Sequence, residues 1–507
     1  MAKILKDPAA IERVPGRDLR ATPAVSGPTA QPGLGTKRRV ILIEFNELCP
    51  PLLDRWMAEG KLPNFKKFHD AAQVFVSEAD VKSGPHLEPW VQWYSMHTGL
   101  SHEQHGVSHL TDGPEAGHRD IWQMLIEGGK HVGDCGSMNA KGFAAPGSFY
   151  LPDPWCTVEN TSPEELRIFY RFVSRYVQEY TNPTFTLSRA DYLRFVSFMA
   201  THGLRPSTVW SIVKQLATEK IFDGKRSWQR APLLDRMQID VFRHYQRTLR
   251  PDFATYFANS TAHYQHSYWR HMDPGAFKVQ PSAADLDAYG DAVLFGYRQM
   301  DRLLEDFFAI EDDNVMLVLA TALSQQPFLR GEDEGGHTYY RVRDIDKLLD
   351  RLGAGAAQVN PVMTHQYLAH FADQAQADRA KDLLSSVRYD GRPVFDFAPS
   401  NPATLYFGNG VHRVVPESAE VMLGGVSNQP QPYYEVFYHI DEMKSGMHHP
   451  DGVLWFKTGN HARHVDKVSI LDVLPTLIDF FGVAPSSADA RAFRGESLMA
   501  RLRPGAH

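Results

Sequence analysis

The sequence predicts an α/β protein, with an open, largely parallel sheet covered by helices on both faces. Three observations carry this. Val40-Ile41-Leu42-Ile43-Glu44-Phe45 is a near-continuous apolar run, as a strand buried on both faces is. Val315-Met316-Leu317-Val318-Leu319 is a second run of the same kind. A strand pattern at Gly452 to Phe456 precedes a helical pattern at Ile470 to Phe481, so the strand–helix rhythm returns near the end.

Taken in order, residues 1–38 carry Pro8, Pro15, Pro23, Pro28 and Pro32 among Gly, Ala and Thr, and read as a disordered N-terminal arm. The α/β core begins over 39–150. Pro50 and Pro51 fit a helix start, so Leu52 to Glu59 reads as a helix closed by Gly60. Val74 to Val76 reads as a short strand, and Pro89 to His97 as a helix stopped at Gly99. Ile121 to Glu127 reads as a helix ending at Gly128-Gly129, before the next strand. Residues 151–250 break the rhythm and read as a helical insertion. Ser162-Pro163-Glu164-Glu165 reads there as a capping box, followed by Leu166, Phe169, Tyr170, Val173 and Val177 at helical spacing. The core resumes over 251–340, with a strand at Phe253 to Ala258 and a long helix from about Asp285 to Phe308. Residues 341–440 read as a second, α+β cap. Residues 441–507 complete the core and its tail.

Composition narrows the function classes. The chain has 507 residues and a net charge of −7, which gives no global positive field for a nucleic-acid backbone. Hydrophobic content of 43% and charged content of 22% are those of a globular protein. Three separated cysteines, Cys49, Cys135 and Cys156, exclude a disulfide scaffold and a cysteine zinc cage, and fit a reducing compartment. No apolar run is long enough to span a membrane. The apolar residues after Lys3 end at Leu5, so no secretory signal is read and the cytoplasm is the expected location.

Several segments taken together resemble the alkaline phosphatase superfamily, in its nucleotide pyrophosphatase/phosphodiesterase branch. They are VILIEFNEL at 40–48, GKLPNF at 60–65, WYSMHTGLSHEQHGV at 93–107, HYQHSYW at 263–269, HHPDGVLWF at 448–456 and ILDVLPTLIDFFGV at 470–483. The resemblance covers most of residues 39–485 in the family's order. It implies an alkaline phosphatase-like mixed or parallel core with the two insertions above. It also implies two zinc ions about 4 Å apart with a Thr or Ser nucleophile between them.

The matching positions depart from that chemistry. Asn46 stands where the resemblance implies the first-strand aspartate, and Glu88-Pro89 where it implies the nucleophile. Ala262 and the run Ala320-Thr321-Ala322-Leu323 replace further ligands, while His266 and His448 remain. Two histidines and an asparagine cannot hold two dications together, so at most one metal ion (zinc, manganese or iron) or none is expected.

The strand ends that would line a pocket carry Glu44, Asn46 and Glu47; His86 and Glu88; His263 and His266; Thr321, Ser324 and Gln325; His448 and His449. Glu88 reads as a nucleophile or general base, or plainly as a helix-capping carboxylate. His266 and His448 read as ligands of a single metal completed by Glu88 or Glu44, or as relict core histidines. Asn46 and Thr321 read as orienting partners, and His86, His263, Ser324 and Gln325 as substrate contacts. Strand alternation sets Glu47 beyond the strand end, where it reads as a second carboxylate or as simply solvated. Glu332-Asp333-Glu334 before Gly335-Gly336 marks a lid or an ordinary surface turn.

The expected function is a divergent hydrolase or transferase acting on a phospho-, glycosyl- or other ester-type bond of a small molecule or glycan. A conventional two-metal phosphodiesterase and a non-catalytic ligand-binding protein are the alternatives. Oligomeric state is not legible.

Overall fold

The computed structural model describes residues 36–502, apart from 111, 157, 182–186, 363–364, 425–428 and 441–442, and apart from the side chains of 178–181. The arm expected over 1–38 thus lies outside the described residues as far as residue 35.

A central nine-stranded sheet organises the molecule. Its strands are β1 (Arg39–Phe45), β2 (Gln73–Glu78), β3 (Val132–Cys135), β4 (Phe149–Leu151), β5 (Phe253–Ala258) and β6 (Val315–Ala320). Late in the chain, after β7 (Ser324–Pro327) and β8 (Gly446–His449), which pair with each other outside it, come β9 (Asp451–Phe456), β10 (Ala462–Arg463) and β11 (Val468–Ser469). The order is β10-β2-β9-β6-β1-β5-β3-β4, with β11 also against β2. β1 lies at the centre, parallel to β5 and β6, and β9 runs antiparallel between β2 and β6.

Both faces of β1 are buried. Ile41, Ile43 and Phe45 enter one core, and Val40 and Leu42 enter another. This is why the strand reads as unbroken apolar sequence. The first core is closed by α1 (Pro50–Ala58), α2 (Pro63–His69) and later helices, the second by α3 (Pro89–Thr98), α4 (Ile121–Glu127) and a C-terminal helix at Val473–Phe481. α3 starts at Pro89 and ends at Gly99, whose φ of 66° suits glycine. Asp120 caps α4 by accepting from the Gln123 backbone amide.

Between β4 and β5 the chain is helical, with α5 (Leu166–Thr181), α6 (Arg189–Thr201), α7 (Pro206–Ile221) and α8 (Pro232–Thr248). Ser162 does not cap α5. It exchanges backbone hydrogen bonds with Tyr150, so the helix begins only at Leu166. After β5, α9 (Ser260–Met272) carries His263 and His266. The helix expected from Asp285 to Phe308 is two, Ala283–Tyr289 and α10 (Ala292–Phe308), broken at Gly290-Asp291. Residues 339–440 build small antiparallel sheets around a separate core that includes Tyr340, Leu349, Phe407 and Tyr433. Among the described residues no helix is long and apolar enough to cross a membrane.

The acidic run 332–334 is not a lid. Glu332 is buried and forms a two-pronged ion pair with Arg270 of α9, at 2.6 and 2.9 Å, and also accepts from the Lys278 and Val279 amides. A buried charge needs this degree of partnering, and the pairing pins the turn to α9. Replacing Glu332 by Ala strands the Arg270 guanidinium, so denaturant unfolding should show a loss of about 3–5 kcal/mol. Lys278→Ala, at an exposed ion pair, should change stability by less than about 1 kcal/mol.

Candidate functional site

Glu47 sits immediately past β1, in a left-handed backbone conformation (φ 64°) that a glutamate seldom adopts. That turn swings its side chain back under the sheet's carboxyl edge, where it is 2% exposed. Its backbone carbonyl accepts from Gln265 Nε2 at 2.7 Å. Gln265 Oε1 accepts from Tyr297, whose hydroxyl oxygen in turn accepts from the Cys49 amide. The turn is therefore held from both sides.

Two imidazoles face this carboxylate. His266 Nε2 lies 3.2 Å from Glu47 Oε2, and His448 Nε2 lies 3.6 Å from Glu47 Oε1. Each ring is fixed from behind. His266 Nδ1 is 3.1 Å from the Gly446 carbonyl and His448 Nδ1 is 2.8 Å from the Leu87 carbonyl. A carbonyl only accepts, so Nδ1 carries the proton in both rings and the neutral ring keeps a lone pair at Nε2. His448 Nε2 is buried without a hydrogen-bond partner. A Cβ on Gly446 would collide with the Gln325 side chain and the Gln265 carbonyl, so this close approach of β8 to α9 needs glycine.

The pair β7–β8 sets Gln325 opposite His448. Gln325 Nε2 donates to Glu47 Oε2 and to the Ala262 carbonyl. Asn46 donates to Glu47 Oε1 at 3.0 Å and to Asn259, and accepts from Trp93 Nε1 at 2.9 Å. Burial alone would raise the Glu47 carboxyl. His266 and His448 outweigh it and hold it below the usual carboxylate range. Burial likewise opposes charge on His448, but Glu88 and Glu47 prevail and raise it.

Glu88 is the N-cap residue of α3, yet its side chain makes no capping hydrogen bond. One carboxylate oxygen instead lies 3.4 Å from His448 Nδ1, with 29% of the side chain still exposed. Burial lifts this carboxyl above the usual range, against the pull of His448, Lys444 and His266. A cavity of about 330 Å³ lies on this side, lined among others by Phe328, Arg330, Tyr339, His365, Tyr406 and Lys444. None of Glu47, Glu88, His266 and His448 lines it, and its link to Glu88 is electrostatic, since burial and then the Glu88 charge push the Tyr406 hydroxyl up. The Lys444 ammonium lies over the Phe328 ring at 5.0 Å, and no described carboxylate pairs with it. Burial lowers His337 and His365 to about 3, so the imidazoles here are neutral.

The other sequence candidates fall into different places. Glu44, on the α3 face of β1, is fully buried and spent, with Oε1 2.7 Å from His97 Nε2 and Oε2 accepting from Ser137. It does not reach the histidines, because alternation points it into the core beneath Trp93. Asp134 at the far end of that network is pushed well above the usual carboxylate range by burial and then by the Glu44 charge. Thr321 accepts from the Val453 amide at 2.8 Å and so fastens β9 to the core. Ser324 is buried opposite His449. His86 stacks on His102 at 4.4 Å. His263 lies beside Tyr264 and is lowered to about 4 by burial and by His266.

Glu47, His266 and His448 therefore form the donor set, with all three donor atoms within 4.8 Å of one another. Among the described residues no other trio of His, Cys, Asp or Glu gathers so closely. One carboxylate and two imidazoles, each with Nδ1–H tied to a carbonyl, is a set that zinc, manganese or iron accepts, and it leaves positions open. A second set is lacking at this place, since Ala262 and Ala322 carry no donors and Leu323 packs with Ala79 and Leu87. Glu47 is the member of this trio that strand alternation alone set outside the site. The signal available was its place directly after a buried strand, ahead of the α1 prolines.

No family model matches the chain, and no curated protein matches it in sequence. Solved structures show likenesses. Phosphonoacetate hydrolase from Sinorhizobium meliloti 1021, in complex with phosphonoformate, aligns at a TM-score of 0.43 and 11% identity, over 89% of this chain and 97% of that one. Wild-type alkaline phosphatase PafA aligns at 0.43 and 13%, over 93% and 99%. Murine ectonucleotide pyrophosphatase/phosphodiesterase 5 aligns at 0.38 and 10%, over 92% and 99%. These are members of the alkaline phosphatase superfamily, which the sequence motifs also resemble. At TM-scores below 0.5 the likenesses carry no argument about chemistry, which rests on the residues themselves.

Purified protein should bind about one zinc, manganese or iron ion per chain, read by elemental mass spectrometry. Glu47→Gln and His448→Ala should each weaken that binding by about 100-fold or more. His86→Ala should leave it unchanged.

Proposed function

We propose that this chain is a hydrolase of small anionic esters, of the phosphoester type, that works with a single divalent cation. The observation that carries the reading is the buried, unpartnered Nε2 of His448, turned with that of His266 toward the Glu47 carboxylate. A buried lone pair without a donor is costly unless something fills it.

Glu47, His266 and His448 would hold the cation, which when bound supplies Lewis-acid polarisation of an ester oxygen and acidifies water. The chain's own groups supply the rest. Asn46 and Gln325 fix the Glu47 oxygens and keep the donor set in place without taking part in it. Glu88, unbonded to the helix it begins, is placed to give a proton to a leaving oxygen or take one from an attacking water. The Lys444 ammonium attracts an anion into the neighbouring cavity, whose aromatic and neutral imidazole walls accept the organic part. No Ser or Thr occupies the Glu88 place, so a covalent serine-type intermediate has no nucleophile at that position.

A panel of nitrophenyl phosphomonoesters, phosphodiesters and carboxylic esters tests this. Turnover should vanish with chelator and return with added metal. Glu88→Gln should keep the metal and lose about 100-fold or more in kcat. Lys444→Ala should raise KM for anionic substrates about tenfold and leave kcat nearly unchanged. Turnover that survives intact in Glu47→Gln and His448→Ala protein would sink the reading.

A further inference from the structure

The amphipathic pattern of α7 is turned inside out. Its buried residues are polar, Thr208, Gln215 and Glu219, with Ile212 partly buried against the first core, while Val209, Trp210, Val213 and Leu216 are exposed. The polar face is satisfied inward. Gln215 donates to Glu219 and to the Arg226 carbonyl, and Glu219 pairs with Arg230. The outward face is therefore not a misplaced core.

Further large apolar residues are exposed on α6 and at the end of α7. Leu193 is 72% exposed, Trp210 67% and Ile221 74%, and Tyr192, Val196 and Phe222 are exposed beside them. A groove of about 520 Å³ lies where the end of α6 turns into the start of α7, lined by Ala200, Leu204, Pro206, Val209, Trp210 and Val213. Most other exposed large apolar residues among those described are scattered singly, as is usual on a protein surface.

Charge identifies what covers this face. Lys214 and Lys220 on α7 and Lys225 in the turn after it are exposed, and no carboxylate pairs with them among the described residues. Arg194 on α6 is also exposed. Of the nearby acids, Glu219 is engaged with Arg230, and Asp191 with Ser188 at the α6 cap and with Arg194 at 3.9 Å, while Asp223 is exposed between Lys220 and Lys225. This basic rim stands in a chain whose net charge is −7. A second copy would set lysines against lysines. The first 35 residues carry Lys3, Lys6, Arg13, Arg17 and Arg20 against only Asp7, Glu12 and Asp18, and do not complement the rim. Apolar side chains with a tryptophan, ringed by long cationic stems, match the boundary between acyl chains and anionic headgroups.

We propose that the α6–α7 face docks the protein on an anionic lipid surface, lying on the membrane without crossing it. The test is sedimentation of the full chain with vesicles of phosphatidylcholine alone or mixed with equal parts phosphatidylglycerol. The mixed vesicles should pellet the protein at low salt, and high salt should weaken this. Leu193→Ser/Trp210→Ala and Lys214→Glu/Lys220→Glu should each lower the partition by about tenfold or more. The altered side chains are exposed, so circular dichroism and bound metal should not change. Three outcomes would overturn the proposal. One is no pelleting with the anionic vesicles. Another is pelleting unaffected by both double variants. The last is a dimer in ultracentrifugation that Leu193→Ser/Trp210→Ala disperses, which would assign the face to a second copy.

Discussion

A carboxylate buried at the end of the central strand is the constraint around which the rest is arranged. Glu47 retains 2% of its exposure, and a bare ionised carboxyl in such a place is not tolerated. The structure answers with two imidazoles, a glutamine amide and an asparagine amide, and a backbone turn held by Gln265. Those partners come from the end of β1 and from α9, β7 and β8. The demands of one side chain thus fix how α9 and the β7–β8 pair lie against the sheet. Under the proposed function a dication would satisfy the same demand more fully, because it would also fill the lone pairs that the carbonyl-bound histidines present inward.

Much of the framework was legible because burial on two faces leaves a plain trace. Val40 to Phe45 and Val315 to Leu319 read as strands, and they are neighbours in the sheet. Prolines and glycines marked α3 at both ends, for stated backbone reasons. His266 and His448 were legible as a pair, and the structure puts their rings 5.1 Å apart. Their third partner was not. Alternation places Glu44 and Asn46 correctly on one face but ends with the strand, and a left-handed φ at a glutamate leaves no mark in the sequence. The Ser162 capping box failed for a related reason, since its backbone was taken by pairing with Tyr150, a tertiary choice that overrides local preference. Glu332 shows the same limit, because a run of three acids reads as solvated until Arg270 is known to lie beneath it.

The cavity by Glu88 and the α6–α7 face are opposite cases of polarity meeting exposure. In the cavity, burial holds His337 and His365 near 3, which leaves Lys444, Arg330 and Asp396 as the charged groups of its lining. On α7 the charged and apolar groups have exchanged their usual sides. Periodicity gives the width of an apolar stripe but not which way it faces. Val209, Val213 and Leu216 were therefore indistinguishable from core until Thr208, Gln215 and Glu219 were seen inside.

The sheet order has a consequence for how the chain is made. β2 is among the first strands to leave the ribosome, but its neighbours β9, β10 and β11 are nearly the last. Until Asp451 to Phe456 has been synthesised, the apolar strand β2 has no partner on either edge, and β6 lacks one on the side that β9 will take. Unpaired apolar edges of this kind invite pairing with other chains. Contacts between such distant segments also close slowly. The β2 side of the sheet can therefore close only near the end of synthesis, which lengthens the time its edges stand open.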